Sequence, residues 1–148
     1  MMKKLLSKEQ IHFLLQFCLK FLIKRGNKTK FFIIINNIVS LLKKMTKQDP
    51  FLIFFKIIKN VEPFCEVKNL KIRGVTRKVP VAIYPKRQKY LAIKFLIINS
   101  KKRNEKTITK KLTLELLDAL ALNGRSIKSS IDLHKTAEIN KVFAQYRN

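Results

Sequence analysis

Acidic side chains are scarce in this chain. Nine Asp and Glu stand against thirty-three Lys and Arg, a formal net charge of +24 over 148 residues and a pI near 10.4. Self-repulsion at that charge opposes compaction, so a neutralising polyanion belongs to the protein's normal surroundings. Nucleic acid is the leading candidate, because counterions released from a phosphate backbone supply affinity without any reading of sequence. Three glycines and four prolines are too few for a disordered low-complexity chain, and no Gly/Ser linker divides it. With 47% hydrophobic residues the expectation is one domain over residues 1–148. The two cysteines, Cys18 and Cys65, sit in apolar surroundings without Cys-x-x-Cys spacing, which favours buried free thiols over a zinc site or a disulfide. His12 and His134 are equally isolated, so no metal or cofactor is expected. Long apolar runs are missing too. Residues 31–42 contain Asn36 and Asn37 and fall short of the ~20 apolar residues of a spanning helix. Lys8, Glu9 and Lys20 interrupt the signal-like start, so neither a membrane segment nor a secretory leader is expected.

What is present is helical periodicity, broken once. Ser7 and Gln10 form a capping-box pattern ahead of Ile11, Leu14, Leu15, Cys18, Leu19 and Leu22, with Gly26 as the stop. A second helix follows Asn27, its apolar stripe formed by Phe31, Ile34, Ile35, Ile38, Leu41, Leu42 and Met45. Asp49 and Pro50 start a third, short helix carrying Phe51, Phe54, Phe55 and Ile58, and Pro63 ends it. Over residues 64–84 the period becomes two. Val75, Arg77, Val79, Val81 and Ile83 share one face, Thr76, Lys78 and Pro80 the other, and Arg73-Gly74 marks the turn of a β-hairpin. Its basic tip is expected to project rather than to pack. A nearly all-apolar helix, residues 85–103, reads as central and buried. Thr107 or Thr109 caps the next helix, whose Leu112, Leu116, Ala119 and Leu120 face inward and which Asn123-Gly124 closes. The final helix, residues 129–146, is expected to bury Ile139, Val142, Phe143 and Tyr146. The fold class is therefore mainly α: a helical bundle with one protruding β-hairpin.

Catalytic residues are not expected. Glu115 with Asp118, and Asp132 with Glu138, read as helix-surface ion pairs, and His134 as a helical partner of Glu138. No serine, cysteine or lysine stands in a nucleophile context, and no phosphate loop is present. Positive charge instead falls in separate clusters: Lys24, Arg25, Lys28 and Lys30 at a helix turn, Lys68, Lys71, Arg73, Arg77 and Lys78 on the hairpin, and Lys86, Arg87 and Lys89 against Lys101, Lys102 and Arg103 at the two ends of the central helix. Several patches point to a wide RNA surface.

The hairpin stretches Val61-Glu62-Pro63-Phe64-Cys65-Glu66-Val67-Lys68 and Gly74-Val75-Thr76-Arg77-Lys78-Val79-Pro80-Val81 resemble those of the small-subunit ribosomal protein 7 family of bacterial and organellar type. Leu91-Ala92-Ile93-Lys94-Phe95-Leu96, Glu115-Leu116-Leu117-Asp118-Ala119 and the run from His134 to Arg147 are similar to its later signatures, and Lys24-Arg25-Gly26-Asn27-Lys28 and Lys47-Gln48-Asp49-Pro50 to two earlier ones. The resemblance implies six helices with the hairpin between the third and fourth, a short basic tail at about residues 1–7, and a structural role without catalysis. It also implies binding to the 3′ major domain of small-subunit rRNA, with the hairpin near messenger RNA and exit-site tRNA and with head and platform proteins as neighbours. No membrane or small-molecule partner is implied. The RNA contacts expected are the helix-turn and hairpin clusters already named, Lys86, Arg87, Lys101, Lys102 and Arg103 at the ends of the central helix, and Lys94, Lys128, Lys135 and Arg147.

Departures from the family pattern are local. Arg73-Gly74 replaces a paired glycine, Arg77 a tyrosine, and Lys94-Phe95 an arginine-tryptophan pair, so charge is kept while stacking at the tip is lost. Ser129-Ser130-Ile131 replaces a basic run. Abundant Lys, Ile, Phe and Asn suit an AT-rich organellar genome, and without an Arg- and Ser-rich presequence an organellar member would be made in place: a mitochondrion, with a plastid as the alternative. Two competing readings are a basic protein lying on a membrane surface and a free RNA chaperone. The first needs an exposed amphipathic face, whereas each apolar stripe here is expected to join one core.

Overall fold

Five α-helices, one antiparallel hairpin and a closing 3-10 helix make up residues 26–146, the part of the chain that the computed structural model describes, the side chain of Phe31 excepted. The predicted first helix and basic tail, with Cys18, His12, Lys24, Arg25 and Arg147, lie outside the described residues. The elements are α1 (Lys28–Thr46), α2 (Pro50–Val61), β1 (Cys65–Ile72), β2 (Val75–Ala82), α3 (Pro85–Lys101), α4 (Ile108–Leu120), α5 (Arg125–Ile139) and the 3-10 helix (Lys141–Tyr146). The mainly α class and the single hairpin between α2 and α3 agree with the sequence reading.

Local chemistry sets most boundaries. Lys47 takes a left-handed conformation (φ 53°) and donates its N–H to the Lys43 carbonyl, ending α1. The Asp49 carboxylate accepts from the Phe51 amide at 3.2 Å with Pro50 in the first turn of α2. Thr107, the nearer of the two expected caps, accepts from the Lys110 amide at 3.4 Å. Arg73 and Gly74 both adopt positive φ (49° and 82°), the two-residue turn whose twist suits a hairpin, in unbroken register from Cys65 opposite Ala82 to Ile72 opposite Val75.

The core gathers Ile38 and Leu42 of α1, Ile53, Ile57, Ile58 and Val61 of α2, Ala92, Ile93, Leu96 and Ile97 of α3, and Leu112, Leu116 and Ala119 of α4. Helix α3 is central, as its composition predicts. Two stripes differ from expectation. In α2 the isoleucines and Val61 are buried, whereas Phe51 and Phe54 are half-buried and Phe55 is exposed. Met45, in the last turn of α1, is also exposed.

The C-terminal region departs furthest. Helix α5 begins at Arg125 rather than near residue 129, because the Ser126 amide and hydroxyl both donate to the Glu115 carboxylate and anchor its first turn. It ends at Ile139, and the chain continues with three residues per turn, which rotates the predicted stripe off the core. Ile139 and Val142 are therefore 81% and 75% exposed and Tyr146 is exposed, while Phe143 is half-buried. The left-handed residue after α4 is Leu122 (φ 59°), not Asn123 or Gly124. Gly124 is extended, and a Cβ there would come within 3.4 Å of both the Ala119 nitrogen and a Glu115 carboxylate oxygen, so close approach explains the glycine.

Nor does the hairpin stand free along its length. β1 runs beside α5, β2 beside the 3-10 helix, and Val79 is fully buried. The Phe64 amide donates to His134 Nε2 at 3.0 Å and the two rings stack, so His134 ties α5 to the hairpin root instead of pairing with Glu138. Cys65 is a free, half-buried thiol whose pKa burial pushes up.

Candidate nucleic-acid interface

Strand alternation assigns the tip charges to two faces. Lys71 opposite Thr76 and Asn69 opposite Lys78 share one face, and Arg77 lies on the other. Lys68, Lys71, Arg73, Arg77 and Lys78 are all exposed, and the Arg77 guanidinium rests over the Phe143 ring at 5.3 Å. The 3-10 helix thus braces the arm just below its tip, which leaves the lysines facing solvent.

A second pattern runs through the helix ends. A helix N-terminus carries partial positive charge and ordinarily attracts acidic residues. None of the described α-helices has an acidic residue in its first turn. Four of them carry cations there or one residue beyond: Lys28 and Lys30 on α1, Lys86 and Arg87 on α3, Lys110 and Lys111 on α4, Arg125 and Lys128 on α5. Each cation opposes the dipole of its own helix, a small standing cost that an external phosphate reverses.

The basic run at the end of α3 splits. Lys101 and Lys102 are exposed, but Arg103 turns inward. Its Nη1 meets Glu115 at 2.9 Å and Asp118 at 2.6 Å, and its Nε meets Glu105 at 3.1 Å. The Glu115 side chain is 0% exposed and spends its other oxygen on Ser126, at 2.9 Å from the amide and 2.7 Å from the hydroxyl. Hydrogen bonds to Asp118, above all, raise the Arg103 pKa, so the guanidinium is permanently charged. Buried Glu115, with half-exposed Asp118 beside it, is therefore an anchor joining α3, α4 and α5 rather than part of a surface pair. Asp132 and Glu138 form no ion pair among the described residues.

That anchor brings forward cations that sequence alone did not single out. Arg125 donates to the Lys102 carbonyl at 3.2 Å and Lys111 to the Lys101 carbonyl at 3.5 Å, so the ends of α3, α4 and α5 form one basic corner that also includes exposed Lys128. Arg125 follows Gly124 directly, a helix-start signal hidden by placing that start at residue 129. Lys86 and Arg87 are exposed at the opposite end of α3, Lys94 is half-buried at its middle, and Lys135 is exposed on α5. Arg87 grips Glu66 through two hydrogen bonds, 2.7 and 3.1 Å, and lies 5.0 Å from the Tyr90 ring. This fork holds the Glu66 carboxyl below its usual range. Among the described residues no helix is long and apolar enough to cross a membrane, and no group of three or more His, Cys, Asp or Glu is arranged to hold a metal ion.

A family model described as ribosomal protein S7p/S5e matches residues 3–141. The small ribosomal subunit protein uS7 of Rhodopseudomonas palustris (strain BisA53) is 39% identical over 122 residues, covering 82% of this chain and 78% of that protein. Its counterpart in Syntrophobacter fumaroxidans is 39% identical over 126 residues, 85% of this chain and 81% of the relative. That of Chelativorans sp. (strain BNC1) is 42% identical over 105 residues, 71% and 67% respectively. With a family match along nearly its whole length and relatives of this identity, the chain belongs to the ribosomal protein S7p/S5e family.

Proposed function

We propose that this protein is a structural, non-enzymatic constituent of the small ribosomal subunit, acting as one RNA-binding domain that holds small-subunit rRNA by neutralising phosphates at several separated sites. The observation that carries the reading is the placement of cations at the N-terminal turns of four helices, none of which has an acidic residue in its first turn. Such ends fit anionic oxygens, and an RNA backbone supplies phosphates to several separated ends at once. Lys28 and Lys30, the basic corner of Lys101, Lys102, Arg125 and Lys128, and the hairpin lysines are the contacts we assign, together with Lys24, Arg25 and Arg147. Arg103 acts behind that corner, as the residue that positions it.

In finer detail, the RNA is the 3′ major domain, whose folding into the subunit head the protein organises beside head and platform proteins. The exposed tip at Lys71, Arg73 and Lys78 reaches towards messenger RNA and exit-site tRNA. The relatives are bacterial, and what supports a mitochondrial setting, or a plastid one, is the Lys-, Ile-, Phe- and Asn-rich composition.

Sedimentation of organelle lysate through a high-salt sucrose gradient tests the assignment: stoichiometric migration with the small subunit is expected, and recovery with membranes or free RNA would refute it. Binding to the isolated rRNA domain should also weaken by about 10³-fold or more between 50 and 200 mM salt, the dependence of a protein that makes roughly six to ten phosphate contacts. A flat salt titration would rule out the mechanism.

A further inference from the structure

At the hairpin root lies a groove of about 630 Å³ lined by Glu66, Lys68, Val81, Ile83, Tyr84 and Arg87. We infer that this groove seats one unpaired, amino-bearing nucleobase of RNA, stacked on Tyr84 and read at its edge by Glu66. The inference rests on the RNA-binding reading above and adds to phosphate contact a site for the base itself.

The reasons lie in how the groove is furnished. Tyr84 is 85% exposed, more than any other large hydrophobic side chain among the described residues. Its backbone is nevertheless fixed: it caps α3 in an extended conformation imposed by Pro85, and its carbonyl accepts from the amides of Arg87 and Gln88 at 2.9 and 3.0 Å. The phenol hydroxyl has no partner among the described residues. A ring carried on a fixed backbone and offering a free face is a platform on which single-stranded bases stack. Val81 and Ile83 give the groove an apolar wall, and its volume falls within the range that holds small ligands.

Charge defines the rest of the occupant. Both Glu66 oxygens face Arg87, yet each keeps a further lone pair, and the carboxylate remains partly open to solvent. It can accept from an exocyclic amino group, as carboxylates do from cytosine, and it repels the carbonyl edge of uracil. Arg87 has spent only Nε and Nη2 on Glu66. Its other N–H groups, with exposed Lys68 on the rim, suit the flanking phosphates. A peptide carrying an acidic side chain would satisfy the cations but would be repelled by Glu66 and would leave the ring unused.

Full-length protein titrated with a short single-stranded RNA carrying one 2-aminopurine among uridines tests this, with anisotropy reading affinity and fluorescence quenching reading stacking. Quenching is expected in the natural protein and in Tyr84→Phe, while Tyr84→Ala abolishes it and weakens binding about tenfold. An oligonucleotide with cytidine at the reporter position should bind about five- to tenfold tighter than all-uridine RNA, a preference that Glu66→Gln removes. Unchanged quenching in Tyr84→Ala, or equal binding of the cytidine and uridine oligonucleotides, overturns the assignment. The double variant Lys71→Ala/Lys78→Ala separates the two levels. If it weakens RNA binding while Tyr84→Ala does nothing, the groove alone is misassigned; if neither matters, RNA binding by this arm fails with it.

Discussion

The hairpin tip and the end of α3 carry nearly the same sequence, Lys71-Ile72-Arg73 in one and Lys101-Lys102-Arg103 in the other, and put their arginines to opposite uses. Arg73 sits in a two-residue turn, exposed and with nothing acidic across the strand pair. Arg103 is enclosed by Glu105, Glu115 and Asp118. The location of the acids makes the difference. Four of the nine, Glu66 and these three, gather on two arginines, Arg87 and Arg103. Concentrating these acids at two structural points leaves Lys71, Arg73 and Lys78 of the hairpin tip outside the ion pairs and available to phosphate.

The largest effect expected from breaking this contrast is at Glu115. In Glu115→Ala the Arg103 guanidinium loses its buried partner and the Ser126 amide its acceptor, at the junction of three helices. Removing one member of a buried, hydrogen-bonded charge pair costs about 3 to 5 kcal/mol, so urea unfolding should show a loss of that order. If the variant unfolded within about 0.5 kcal/mol of the natural protein, the range of an ordinary surface substitution, the anchor would have no structural role.

At the tip the signs reverse. Replacing Lys71, Arg73, Arg77 and Lys78 together by alanine should leave stability within about 1 kcal/mol, the main loss being the Arg77 contact with Phe143. The same change should weaken rRNA binding by about 100-fold at low salt and flatten the salt dependence by up to one power per phosphate contact removed. A fourfold variant that melted early but still bound RNA fully would exchange the roles of the two regions.

How much of this was legible beforehand follows the same division. The turn at Arg73-Gly74, the cap at Asp49 and the central place of α3 depend on local patterns, period two against 3.6 and residues with restricted backbones, and these were readable. The corner around Arg103 was not, because Glu115 and Ser126 lie eleven positions apart and are joined only by the packing of α4 on α5. Helix spacing put Glu115 beside Asp118 and suggested a surface pair. It carried no sign that an arginine twelve positions earlier would point at both. The C-terminal stripe failed for another reason: Val142 and Tyr146 keep an α-helical spacing in a segment that winds as 3-10 helix. Arg125 was missed because the start of α5 is fixed by that same distant carboxylate.

The smallest effect sharpens the comparison from a third position, Glu66 with Arg87, a pair intermediate in exposure between the tip and the anchor. Hydrogen bonding to Arg87 lowers the Glu66 pKa in the folded protein, so the carboxylate binds protons less readily there than in the unfolded chain. Stability from the pair is therefore present above the unfolded pKa and is lost as pH falls through the lower, folded one. Arg87 is nearly half exposed, and solvent screening limits the contribution to less than about 1 kcal/mol. Glu62, at the end of α2, has the opposite sign: burial raises its pKa, and its cost is relieved as the solution is acidified. The overall pH profile mixes the two, so the useful quantity is the difference between the natural protein and Glu66→Gln. That difference should be a few tenths of a kcal/mol in favour of the natural protein at pH 7 and should disappear in acid once Glu66 is protonated in both states. A difference that grew on acidification would mean that Arg87 is held at the hairpin root by something other than the Glu66 carboxylate.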